Sequence, residues 1–392
     1  MCIALLAGCS SVGNDPSTSP SRPTPTPSLV ARPAHPFVDP PAFVEPHQRT
    51  VLDDVESFVT PGVVYEGAAA QDYDMPVVSP TYYALWPPDD IHSANIYALD
   101  SHDLVATISV PSDGYRYLGK ILLSGTDAYV VDSPDWDHLD TDPDSRISRL
   151  DLLTGASTEL EPPAGQQWSF LPNMIAELDG MVVALTQTPN THEPCLVRID
   201  GMTPSPIQCW EGATSDRLSI MPGYVSQLVW PQEDNPDACT QRHLTSFDGH
   251  TREIGDRRHC RGYDGITLNG WDIWSSNDQG VISESTVYAD GPDGEHLQLS
   301  RKSNKSGSMV ACGKAAYWKA SFAHQGEPAD AIMRWAPGME NVEMVFQSDP
   351  GHVLRPPTCD EGIISFTTDD FTTSPISTRV LYLDARELDA AT

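Results

Sequence analysis

Basic residues are scarce in this chain. Only 23 Lys and Arg stand against 55 Asp and Glu, a formal charge of −32. A surface that acidic repels phosphate backbones and anionic headgroups, which argues against nucleic acid as a partner. Long apolar runs are also missing. No stretch reaches the roughly 18 consecutive apolar residues that a membrane-spanning helix needs. There is no G-x-S-x-G elbow, no H-E-x-x-H pair and no P-loop. The common acyl-transfer, zinc-peptidase and nucleotide-hydrolysis signatures are therefore absent. No two cysteines have C-x-x-C spacing, which removes the usual thiolate metal site. Extended helical periodicity is lacking as well.

What is present begins with proline. Ten prolines lie between Pro16 and Pro46, interleaved with Ser and Thr. Proline removes backbone donors and fixes φ, so this stretch builds no ladder. It reads as an extended, semi-rigid spacer of roughly 3.1 Å per residue. Just before it stands Leu6-Ala7-Gly8-Cys9. These four residues resemble the lipobox of bacterial lipoproteins. That resemblance implies cleavage before Cys9 and lipidation of its sulfur, including palmitate. Eight residues precede Cys9 and none is Lys or Arg, so residues 1–8 read as a truncated signal peptide. Residues 9–48 then form the lipidated cysteine and its Pro/Ser/Thr-rich tether, and residues 49–392 the folded domain.

The folded part carries a repeat. Seven short apolar runs open at Thr81, Asp127, Gly180, Tyr224, Gly270, Lys314 and Glu361, with spacings of 44 to 53 residues. A second run follows each one and most end on an acidic turn, as in Leu196-Val197-Arg198-Ile199-Asp200-Gly201. Apolar–polar alternation means strands, and Asp-Gly suits a tight hairpin. Periods of about 40–50 residues built only of strands mean propeller blades. Six further runs supply fourth strands, at 104–110, 157–160, 206–210, 251–254, 295–299 and 342–346. The seventh blade lacks one, and Val63-Val64-Tyr65-Glu66 is its candidate. The expected fold is all-β: a seven-bladed propeller of four-stranded blades, closed by an N-terminal strand. This rhythm resembles TolB-like and YncE-like propellers of cell-envelope lipoproteins. WD and kelch signatures are absent, and the resemblance carries no functional residues over. Trp86, Trp230, Trp274 and Trp318 recur at one point of the repeat, which predicts packing between blades.

Six cysteines remain in the folded part, an even count that suits disulfides in an exported chain. Cys195 and Cys209 flank one hairpin turn. Cys239 and Cys260 flank another more loosely. Cys312 and Cys359 occupy matching places in blades six and seven, which predicts a bridge between blades. Asp140, Asp142 and Asp144 have the D-x-D-x-D spacing of a calcium loop. Ser145 replaces the turn glycine and Pro143 intrudes, so the choice lies between a loose structural Ca²⁺ site and a solvated acidic loop. No other cofactor is implied. The histidines are scattered, and no catalytic carboxylate pair can be chosen among so many acids.

The functional expectation is a monomeric binding or scaffold module for an unidentified protein or glycan. It is held by lipid on the extracytoplasmic face of the cell membrane. The alternative is a glycan-active hydrolase or lyase with its site at the central channel; whether the chain is an enzyme stays open.

Overall fold

The computed structural model describes residues 44–68, 77–87, 90–111, 116–134, 144–169, 174–178, 180–189, 191, 193–211, 213–231, 241–255, 264–277, 285–303, 309–324, 327–374 and 376–390. These residues form seven antiparallel sheets that follow one another along the chain. Each is one blade of a seven-bladed β-propeller. Blade two shows the pattern: Arg116–Ser124, Asp127–Pro134, Arg146–Asp151 and Ser157–Leu160 pair in order from the axis outwards. The innermost strands of the other blades are Val77–Val78, Ile175–Leu178, Ala213–Met221, Gly265–Leu268, Met309–Cys312 and Thr358–Asp360. Innermost strands of neighbouring blades touch each other.

The strands expected from the repeat are all found. The seven primary runs form the second strand of each blade, for example Met181–Gln187 and Ala315–His324. In Met181–Gln187, Val182, Val183, Ala184 and Leu185 are all fully buried. Every blade is packed on both faces by its neighbours, so these strands read as unbroken apolar runs rather than alternating ones. A glycine at positive φ turns the first hairpin of blades two to seven: Gly125, Gly180, Gly223, Gly270, Gly313 and Gly362. An L side chain is strained there, which is why a turn residue opens each repeat.

Trp274 and Trp318 are buried in the core that joins blades four to six. Trp86 is half-buried against the core of blades one and two. The side chain of Trp230 lies outside the described residues.

Gly62–Ala68 pairs antiparallel with Ser377–Asp384 and completes blade seven, with Val63 opposite Leu381 and Tyr65 opposite Val380. Val64 joins Val78 and Tyr83 of blade one and Ile363 and Val380 of blade seven in one buried cluster. Full burial of such a side chain is worth about 1.5–3 kcal/mol, so this apolar seam adds to the strand pairing that closes the ring.

Two features go beyond the repeat. Before closing blade seven, the chain runs along the outer edges of blades five and six. Thr50–Val51 lies parallel to His296–Ser303, and Asp54–Glu56 parallel to Val342–Gln347. Bonds from Leu52 N to Gln298 O (3.1 Å) and from Val59 N to Val345 O (2.9 Å) extend this strap. Arg49 fastens its start. Its guanidinium is buried over the Tyr288 ring, 4.6 Å from the centroid, and pairs with Asp290 at 2.8 Å. Pro46–Gln48, at the end of the proline-rich stretch, forms a 3₁₀ turn. At the other end, the short helix Ala385–Ala390 follows the last strand. Its Asp389 accepts from buried Arg334 (3.0 Å) and from Lys314 N (2.8 Å), tying the C-terminus to blade six.

Candidate functional site

The innermost strands of blades two to seven surround a cavity of about 280 Å³ along the propeller axis. Its walls are mixed. Leu122, Leu218, Ile220, Met309 and Pro357 give apolar surface, while Lys120, Glu177, Arg242 and Asp264 bring charge. Each charged group has a protein partner. Arg242 and Asp264 form a buried ion pair at 3.5 Å. Lys120 Nζ donates to Ile175 O at 2.8 Å. Glu177 accepts from Gly180 N at 2.5 Å and from Ser124 Oγ at 3.5 Å.

Lys120 reaches this position through a bulge. The register between Arg116–Ser124 and Asp127–Pro134 shifts between Leu118 and Lys120. A side chain at the intervening Gly119 would collide with Ser133, with Oγ only 2.3 Å from its Cβ, so glycine is required for the close approach. Lys120 is half-buried and faces the cavity. Loss of hydration lowers its ammonium pKa to about 8, and the neighbouring Asp360 opposes that fall.

Beside the cavity, next to the lining residues Thr358 and Cys359, sits Asp360. It is 5% exposed. Burial, and then the negative charge of Glu177, push its carboxyl well above the usual range. Asp360 comes from blade seven and Glu177 from blade three, and Lys120 of blade two stands near both. The same end of the axis carries another crossing bond: Gly125 N of blade two donates to Glu361 Oε1 of blade seven at 2.7 Å. The turns that start blades two, three and seven thus converge around an acidic cluster.

Two disulfides lie in the propeller. Cys195 and Cys209 face each other across the hairpin of blade three, as their symmetry about the turn predicts. Cys312 and Cys359 join the innermost strands of blades six and seven, and Cys359 lines the axial cavity. Cys239 and Cys260 lie outside the described residues. So do Cys9, Asp140 and Asp142. Asp144 is described; its carbonyl accepts from Arg116 Nη2 at 3.0 Å, while Arg116 pairs with Asp132 at 2.7 Å. Arg146–Asp151 is a strand, which rules out an EF-hand geometry there. Among the described residues no group of three His, Cys, Asp or Glu converges on one point. His250 stands 3.6 Å from Asp248 in the turn between the third and fourth strands of blade four, and His352, on the segment that pairs with the axial side of Ile363–Asp370, lies between Asp349 and Asp370 at 3.7 and 3.3 Å.

Sequence reasoning did not find the Lys120–Glu177–Asp360 group. The three residues come from three blades, and nothing local marks them. A signal existed in the turn positions: Asp360 and Glu361 immediately precede the first-hairpin glycine of blade seven, as Glu177 does within three residues in blade three.

No protein-family model matches the sequence, and a search of curated proteins returns no match. Solved structures do resemble it. The β-propeller domain of the trilobed protease from Pyrococcus furiosus superposes with a TM-score of 0.52 at 11% identity, covering 78% of this chain and 93% of that one. That domain is described as having an open velcro topology; here Gly62–Ala68 closes the ring. Weaker likenesses include an acylaminoacyl peptidase in complex with a chloromethyl ketone, with a TM-score of 0.46 at 12% identity and 65% of this chain covered. An oligogalacturonate lyase in complex with manganese gives 0.46 at 14%, covering 74% of this chain and 82% of that one. The chain spans 43% of the length of that acylaminoacyl peptidase. At these identities the likeness establishes the fold: this chain is a seven-bladed β-propeller.

Proposed function

We propose that the chain is a lipid-anchored, extracytoplasmic propeller that binds a protein or glycan ligand at the loops and mouth of its axial channel. The observation that carries the binding reading is the state of the channel wall. Arg242 is committed to Asp264, Lys120 to Ile175 O, and Glu177 to Gly180 N. A wall whose charges are already satisfied presents shape and polarity to a ligand rather than a poised acid, base or nucleophile. The hydrolase or lyase reading stays the alternative; it would draw on Lys120, whose ammonium pKa burial lowers to about 8, but that ammonium is held by Ile175 O. Export is supported by the two disulfides, which persist in oxidising compartments. Anchoring is supported by Leu6-Ala7-Gly8-Cys9 and by the proline-rich stretch behind it.

Two measurements test this. Mass spectrometry of the protein extracted from membranes is expected to show a diacylglyceryl-modified N-terminal Cys9, and Cys9→Ser to release the protein into the soluble fraction. Unmodified Cys9 in a fully soluble protein would refute the anchor. A glycan and protein-ligand screen with the full chain in detergent is expected to return a binder that is not turned over. Substrate cleavage would overturn the binding reading.

A further inference from the structure

We propose that the outer edge of blade one is where a second copy of this chain adds on, by antiparallel pairing of the strand Leu104–Ser109 with its counterpart across a twofold axis. This is independent of what the mouth of the channel binds. It departs from the monomeric state expected from the sequence.

A propeller ring protects its inner strands, but each blade still ends in an outer strand with one edge towards solvent. Such an edge is a template for another strand unless it is covered, short, charged or interrupted by proline. Six blades here are protected in one of these ways. Thr50–Val51 covers blade five and Asp54–Glu56 covers blade six, and these covering strands are only two and three residues long. In blade two the outer strand Ser157–Leu160 has four residues and carries exposed Glu159. Blade three has Pro204 and Pro206 within Thr203–Cys209. In blade four, Thr251–Ile254 has four residues and includes Arg252 and Glu253. Blade seven ends in Gly62–Ala68, which carries exposed Glu66.

Blade one is the exception among the described strands. Leu104–Ser109 has six residues and neither charge nor proline. Leu104 and Val105 are 58% and 37% exposed. A bulge displaces the start of the strand, and Ala106 to Ser109 pair regularly with Ile96 to Ser93. Val110 N donates inwards to His92 O at 2.8 Å. Main-chain groups alternate in direction along an antiparallel strand, so the N–H and C=O of Thr107 and Ser109 point outwards. The blade thus ends on a row of outward main-chain donors and acceptors, next to exposed apolar side chains.

The occupant follows from charge. The chain carries −32. A partner chosen by charge would be basic and would need acidic side chains on the edge, and this edge has none. A twofold interface has the opposite requirement, because each patch faces a copy of itself and any charge meets its like. Only apolar and hydroxyl side chains stand here, and Thr and Ser pair favourably across antiparallel strands. The pairing joins two four-stranded sheets into one continuous sheet.

Sedimentation velocity tests this on the full chain carrying Cys9→Ser, which cannot be lipidated, between about 5 and about 300 µM, since so small an interface is weak. A reversible dimer is expected. Raising KCl from about 0.05 to about 0.5 M should strengthen it, because salt screens the repulsion between two acidic chains and no ion pair holds the edges. Thr107→Lys puts a charge on the edge and should weaken the dimer roughly tenfold or more, whereas Thr158→Lys on the outer strand of blade two should leave it unchanged. A short bis-maleimide should join two chains through Thr107→Cys far better than through Thr158→Cys. Circular dichroism checks that each variant is folded, and the cross-link decides if Thr107→Lys is not. A monomer throughout the range would overturn the proposal. So would a dimer that salt weakens, that survives in a folded Thr107→Lys chain, or that Thr158→Cys captures as well as Thr107→Cys.

Discussion

Arg49→Ala should unfasten the N-terminal strap without unfolding the ring. Arg49 donates to Asp290 Oδ1 at 2.8 Å and Oδ2 at 3.4 Å, to Leu297 O at 3.3 Å and to Val44 O at 3.1 Å. Its guanidinium also sits over Tyr288 and Trp274, 4.6 and 5.6 Å from the ring centroids. Removing one partner of a buried ion pair costs about 3–5 kcal/mol. Here the Asp290 side chain is 18% exposed and keeps bonds from Trp274 Nε1 (2.9 Å) and His296 Nδ1 (2.8 Å), so it is not stranded. That lowers the electrostatic loss to about 2 kcal/mol. Losing the desolvated cation–π contacts adds about 1 kcal/mol. A total of about 3 kcal/mol corresponds to roughly a 150-fold shift in a local opening equilibrium.

Hydrogen exchange reads that shift directly. The amides of Leu52 and Val59 bond to blades five and six, so peptides covering residues 50–59 should exchange roughly 100-fold faster in Arg49→Ala. The inner strands of the same blades should be unaffected. Arg49→Lys keeps the charge but loses the planar fork, and should fall between the two. If exchange over residues 50–59 rises less than threefold, the clasp is not what holds the strap.

Other expectations follow from the same structure. Deleting residues 62–68 removes the outer strand of blade seven and Val64 from the seam, and should abolish cooperative thermal unfolding; a stable, cooperative deletion chain would misplace the seam. Breaking Cys312–Cys359, which closes 47 residues, should cost about 4 kcal/mol in guanidinium unfolding, and breaking Cys195–Cys209, which closes 14, about 3 kcal/mol, on the loop-entropy relation. The reverse order would count against that relation here. Asp360→Asn should raise thermal stability at pH 7 but not near pH 3. The native carboxyl holds its proton to a higher pH than the unfolded one, so the folded state loses stability as pH rises above about 4, and an amide does not titrate. An Asn variant less stable at pH 7 would contradict a buried carboxyl whose pKa is raised by burial and by Glu177.

Much of the fold was legible along the chain because a propeller repeats. Each blade must bury both faces, turn at the same point and hand on to the next, so runs such as Asp127–Asp132 and Gly180–Leu185 recur at a steady period. The hairpin disulfide was legible for the same reason, since Cys195 and Cys209 mirror each other about one turn. The closing strand could be found by counting, because six fourth strands left one blade short. The strap was not legible. Thr50–Val51 and Asp54–Glu56 are too short to show a pattern, and they pair parallel with strands about 250 to 290 residues away. Arg49 opens the folded part in sequence, yet no local pattern marks it as a clasp; that role appears only once Tyr288, Trp274 and Asp290 are brought around it.

Local periodicity and turn chemistry specify the blade count, the strand order and the place where the ring closes, because each is set within one repeat. What stands at the axis is set by the assembled ring. Lys120, Glu177 and Asp360 come from three blades and are separated by up to 240 residues, so their meeting depends on the curvature of the whole ring. Their charges act on one another because closure removes water from the space they share, and no local pattern encodes that distance.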